Sequence, residues 1–296
     1  MSVGSPLFIE LPASEIVGWH CVSMNTLLDR LHSLFTAAPA EPEIEPLTKP
    51  ALHQMRKDVC VGLVEGLQPL LAAIGFGRFS NGTAWRRGER WVDVIQIQFI
   101  RSPQTSAHSP SLHLGRYFDF VPPRDPGNPV RWHRGQREPM PEQCHIRKSL
   151  YKPVRDKKSP PATWPIGPAG EGLEQCIAQA LLLAQSHIVP WCLWLDDTEA
   201  ALQLVLNGIS DMEGESDDPL MCGTWNHQTY FGRHVLGGML ALERQRWSLA
   251  DKLLGPVIRQ GGTIARHGRL FPMDPKVLAE LSAAREHALK QMQQKQ

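Results

Sequence analysis

The sequence predicts an α+β fold in which an antiparallel sheet is covered by a helix and followed by a helical C-terminal half. Three observations carry that expectation. Leu52, Met55, Val59, Leu63, Leu67, Leu70 or Leu71 and Ile74 recur at steps of three and four, which gathers them on one face of a helix over 51–74. Residues 78–86 and 91–101 flank Arg87-Gly88-Glu89-Arg90, a tight-turn sequence, and the second arm alternates Trp91, Ile95, Ile97 and Phe99 with Val92, Val94, Gln96 and Gln98. Beyond Gly170 the apolar period changes from two to three or four.

Taken in order, 14–36 reads as a helix, with Ser14 as N-cap and Val17, Val22, Met24, Leu27, Leu28 and Leu31 near helical spacing. Four prolines and three glutamates in 37–50 then predict an exposed linker. In the helix that follows, Pro69 removes a backbone donor, and Gly75 suits the left-handed cap position at its end. A third strand is expected over 111–121, with Leu112, Leu114, Phe118 and Phe120 on one side, and a short one over 143–150. Helices are expected from Gly170 to before Pro190, from an Asp197 cap to Gly208, and over 229–245. Two more run from a Ser248 cap to Gly261-Gly262 and from Asp274-Pro275 toward the C-terminus. Gly238, Ala241, Ala250 and Leu254 suit a helical hairpin, and one such unit falls short of a repeat array. The division expected is 1–50 (helix and linker), 51–165 (sheet domain) and 166–296 (helical region).

The net charge of +1 hides two opposed fields. Between Lys158 and Arg233 there is no basic residue, while ten carboxylates fall there: Glu171, Glu174, Asp196, Asp197, Glu199, Asp211, Glu213, Glu215, Asp217 and Asp218. Residues 116–158 instead carry eleven Arg and Lys against five Asp and Glu. Six scattered cysteines without a C-x-x-C pair read as reduced thiols. There is no basic leader and no uninterrupted apolar run near the ~18 residues of a span, so a cytoplasmic protein without a membrane partner is expected.

Motifs for catalysis are weak. In Cys144-His145 the neighbours point to opposite faces of a strand, so they form no nucleophile–base pair. Cys222, His227 and His234 lack the spacing of a metal set. Gly167–Gly172 lacks the Lys-Ser/Thr of a phosphate loop, and Asp211–Asp218 misplaces the glycine and glutamate of a calcium loop. No cofactor and no metal are predicted.

Leu67-Gln-Pro-Leu-Leu-Ala-Ala-Ile-Gly-Phe, followed by Thr83-Ala-Trp-Arg-Arg, Val94-Ile-Gln-Ile-Gln, Leu114-Gly115, Cys144-His145-Ile146-Arg147 and Trp164, resembles a bacterial family described as domain of unknown function 4304, over about 51–200. Residues 1–50 and the long basic loop 122–142 fall outside that resemblance. It implies no catalytic residue to carry over. It does imply an accessory or immunity component encoded beside toxin genes.

The function expected is a non-catalytic binding protein, in concrete form an immunity-type protein that neutralises a basic toxin domain. Glu199, Asp211, Glu213, Glu215, Asp217 and Asp218 would attract the basic partner, and Trp225, with Trp191 and Trp194 in the same window, would anchor it. The alternative is a nucleic-acid-binding module or an enzyme using the basic 116–158 loops, where Tyr117, Phe118, Trp132, His133 and Tyr151 are interleaved. The acid-rich half weighs against nucleic acid, and nothing in the sequence sets the oligomeric state.

Overall fold

A computed structural model describes residues 49–101, 108–123, 129–133, 135–150, 164, 166, 170–210, 230–261, 264–266, 269–271 and 273–294. The expected N-terminal helix over 14–36 lies outside the described residues. Helix α1 runs Lys49–Ala72 and takes in the last two residues of the expected linker. Pro50 sits in its first turn, where a missing N–H costs nothing. Met55, Val59, Leu63, Leu67 and Leu71 are all buried, each contributing about 1.5–3 kcal/mol by leaving water.

The end of α1 is set by two nested backbone bonds. The Gly75 N–H donates to Ala72 O at 3.0 Å and the Phe76 N–H to Leu71 O at 3.0 Å. Gly75 has φ +95°, a conformation that side chains with a Cβ resist. This closure turns the chain into the sheet and buries Phe76 at the corner.

Four strands, β1 (Thr83–Arg87), β2 (Trp91–Arg101), β3 (His108–Phe118) and β6 (Ile146–Leu150), form one antiparallel sheet in the order β1-β2-β3-β6. Between β3 and β6 the chain makes a small ribbon, β4 (Arg131–His133) with β5 (Gln136–Glu138), and a 3₁₀ turn at Pro141–Gln143. The ribbon side covers one end of the sheet's second face, where Val94, Tyr117 and Cys144 are buried together and the Trp85 indole N–H donates to Pro139 O at 2.9 Å.

The apolar face meets α1 and the helices beyond Gly170. Here α2 (Leu173–Leu183) continues through a π turn at Ala184–Ile188 into α3 (Val189–Trp194). The expected stop before Pro190 is therefore absent. A wider turn, in which the Val189 N–H reaches back to Ala184 O, spares the proline ring its clash with the preceding turn. By length and mean hydropathy, 1.4, Leu173–Trp194 would suffice to cross a membrane. One side of it, Cys176, Ala180, Ala184, Ile188 and Trp191, is buried in the core with the α1 stripe. Gly62 and Gly66 let α2 approach α1 closely: a Cβ there would lie 2.4 Å from Ile177 Cδ1 and 2.5 Å from Leu181 Cδ1, so those side chains would have to shift.

Helices α4 (Thr198–Ser210), α5 (Tyr230–Glu243), α6 (Trp247–Arg259) and α7 (Pro275–Gln294) complete the helical half. Asp197 and Asp274 cap as expected, accepting from the N–H of Glu199 (2.9 Å) and Lys276 (2.8 Å). Two expected boundaries shift: Gly208 lies inside α4, and Ser248 lies inside the first turn of α6. A strand pair also interrupts this half, since β7 (Ile264–Arg266) pairs with β8 (Arg269–Phe271). Two three-residue strands are too short to show alternation, so periodicity did not reveal them.

Candidate functional site

The register of the sheet places Arg86, Asp93 and Arg116 side by side across β1, β2 and β3, on the apolar face. All three are buried. Asp93 Oδ2 accepts from Arg86 Nη2 (2.6 Å) and Nε (2.9 Å) and from Arg116 Nη2 (2.8 Å), and its Oδ1 from Arg116 Nε (2.6 Å). The end of α3 brings the other acceptors. Cys192 O accepts from Arg86 Nη2 (2.9 Å), Leu195 O from Arg116 Nη1, and Asp196 Oδ1 from Arg86 (2.6 Å) and Arg116 (3.0 Å). The Trp91 ring lies 3.9 Å from the Arg116 guanidinium carbon and 4.7 Å from that of Arg86.

Two arginines against two aspartates make the cluster neutral, which is what permits its burial. Burial is the largest single influence and opposes the Arg116 charge, but the Asp93 charge and hydrogen bond, with Cys192 and Asp196, together outweigh it and the Arg116 pKa rises. Beside it, burial first and then the Asp93 charge push the Cys192 thiol well up, so it stays protonated. This cluster fastens the sheet to the helical half. Its groups are committed to one another, and Asp196 is the only one of its four charged side chains with a large open part, 39%.

The expected strand over 143–150 begins only at Ile146, so Cys144 and His145 lie just ahead of it, and both are also committed. Burial raises the Cys144 thiol pKa well above its usual value. His145 Nδ1 accepts the Phe118 N–H at 3.0 Å, which leaves its Nε2 to donate to Pro122 O at 3.2 Å. On the sheet's second face His113 lies between Ser111 Oγ (2.7 Å from Nε2) and Ser149 Oγ (3.0 Å from Nδ1). Burial, and then Arg147, lower its pKa to about 4, so it is neutral at pH 7.

The expected partner-binding residues separate. Glu199 is not a free acid: it pairs with Arg246 at 2.8 Å and Arg244 at 3.6 Å, and accepts from Gln203 Nε2 at 2.8 Å. Asp211, Glu213, Glu215, Asp217, Asp218 and Trp225 lie outside the described residues. Trp191 is fully buried in the core and so is no surface anchor, while Trp194 packs partly buried beside it. Of the three residues whose spacing does not suit a metal, Cys222 and His227 lie outside the described residues, and His234 is buried.

Among the described residues, an exposed aromatic surface lies at the β4–β5 ribbon. Trp132 is 64% exposed on a cleft of about 360 Å³ that also takes in Tyr117, Asp119, Phe120, Arg137 and, from α7, Glu280. Arg137 Nη1 donates to Asp119 Oδ1 at 3.0 Å and to the Tyr117 hydroxyl at 3.3 Å. Its guanidinium carbon lies 5.1 Å from the Trp132 ring and 5.6 Å from the Tyr117 ring. Burial raises the Tyr117 pKa against the opposing pull of Arg137, so the hydroxyl is protonated. Phe120 in turn lies under the Arg90 guanidinium at 4.7 Å. The sequence held half of this signal, because Trp132 stood out among the basic residues. Glu280, far along the chain, gave none.

Comparison with protein families, with curated proteins and with solved structures finds no match to this chain.

Proposed function

We propose that this protein works by binding another protein without transforming it, in concrete form as an immunity-type partner of a basic toxin domain. The observation that carries the reading is the absence of any Lys or Arg between Lys158 and Arg233, where ten carboxylates fall. An acidic field of this kind raises the encounter rate of cationic partners. Asp196 and Glu199 are engaged internally, so the field rests on exposed Glu174 and Asp197 and on the acids of 211–218. Trp132 with Arg137 adds residue types that dominate contact energies when buried at an interface.

The test is affinity capture with the whole chain, followed by binding kinetics with the captured partner. Reversing Glu215, Asp217 and Asp218 to lysine should slow association and flatten its dependence on salt. An association rate at low salt equal to that of the unchanged chain would refute the acidic-surface reading. Nucleic-acid binding through the basic loops is the second reading, supported by the exposed run Arg131-Trp132-His133. Against it, Arg131 faces Glu138 directly across the ribbon.

A further inference from the structure

We infer that the cleft between the β4–β5 ribbon and α7 seats one arginine side chain of the partner, an inference that rests on the binding reading above. The walls decide the sign of the charge it accepts. Pro122, Pro123 and Pro129 contribute no backbone N–H, so these three lining residues offer apolar surface and no amide donor to an anion. Among the described residues its one cationic lining group is Arg137, which is already held by Asp119 and by the Tyr117 hydroxyl.

A cation finds the opposite situation. Among the described residues, Asp119 and Glu280 against Arg137 leave the lining with one net negative charge. Glu280 is exposed and makes no ion pair among the described residues, whereas Asp119 is engaged by Arg137. Trp132, 64% exposed, retains open ring surface beside it. The fold itself uses these rings as seats for guanidinium groups: Arg137 over Trp132 and Tyr117, and Arg90 over Phe120. A guanidinium suits the place better than an ammonium, because its plane stacks on an indole while its edge pairs with a carboxylate.

The probe is a fluorescent acetyl-Gly-Arg-Gly-Arg-Gly-amide titrated into the whole chain and read by anisotropy. Two companions replace arginine by citrulline, its neutral isostere, or by lysine. The arginine peptide should bind most tightly, the lysine peptide more weakly, and the citrulline peptide weakest. Trp132→Ala should weaken the arginine peptide about two- to five-fold. Glu280→Gln should do the same, again about two- to five-fold, and its effect should shrink at high salt. Both side chains are exposed, so unchanged melting curves confirm intact folding.

Undetectable binding of the arginine peptide, equal binding of the citrulline peptide, or indifference to both substitutions would each overturn the inference. So would an oligothymidylate whose binding depends on Trp132, because it would assign the cleft to nucleic acid. The two readings fail separately. A captured basic partner that binds the Trp132→Ala/Glu280→Gln variant undiminished removes the arginine seat and leaves the binding protein. Arginine-peptide binding without any basic protein captured leaves the seat and removes the immunity-type reading.

Discussion

Asn in place of Asp93 removes one negative charge from a fully buried position and keeps the volume, which makes it the sharpest test of the Arg86–Asp93–Arg116–Asp196 cluster. Asp93 Oδ2 accepts three guanidinium contacts and Oδ1 accepts one. An Asn oriented to keep its oxygen at the Oδ2 place retains the three and points its NH₂ at Arg116 Nε, donor against donor. The opposite orientation loses the three. Either way two guanidinium groups then share one full carboxylate, Asp196, whose side chain is 39% exposed. Breaking a buried ion pair by removing one partner costs about 3–5 kcal/mol. At about 2–4 °C per kcal/mol for a larger domain, melting should drop by roughly 6–20 °C. Urea unfolding followed by circular dichroism measures the free energy directly. Asp196→Asn, at the solvent-screened edge, should cost clearly less. A loss below about 1 kcal/mol for Asp93→Asn would refute the claim that this cluster holds the sheet to the helical half.

Two further outcomes test the frame around the site. Phe76→Ala should destabilise by about 3–5 kcal/mol, because the ring is buried where α1 turns into the sheet, and an unchanged melting temperature would place it in solvent. His113 should titrate near pH 4 by NMR. Its folded pKa lies below the unfolded value, so the unfolded chain binds the extra proton first. The stability this group contributes is complete above about pH 6.5 and is lost as the pH falls toward 4. His113→Gln should flatten that part of the stability profile, and a midpoint near 6.5 in the native protein would contradict the burial argument.

Much of the fold was legible because it depends on local pattern. The α1 stripe, the Gly75 turn, the Asp197 and Asp274 caps and the alternation of β2 each need only a few neighbouring residues. The buried charges were half legible. Asp93 stands on the face of β2 that carries Trp91, Ile95 and Ile97, a polar residue in an apolar row, which marks a buried partner. Naming that partner needs the register of three strands, and finding Asp196 needs the packing of α3 against the sheet. Neither is written in any short window. The run through Pro190 was misread for a different reason: proline stops an α-helix, but a π turn just before it removes the conflict.

The cluster also changes what the segregated charges of this chain mean. Counted along the sequence, Asp196 and Glu199 belong to an acidic block and Arg86 and Arg116 lie outside it. In the fold these opposite charges meet, Asp196 with the two sheet arginines and Glu199 with Arg244 and Arg246. Part of the segregation thus serves the fold, because the pairs of Asp196 with Arg86 and Arg116 fix which helix end meets which strands. Only the remainder of the acidic block can act on a partner. That remainder must be judged by the acids that stay exposed outside these pairs, and among the described residues Glu174 and Asp197 are of that kind. Charge counted in a sequence window is therefore an upper bound on the field a partner meets, and the paired fraction is set by tertiary structure.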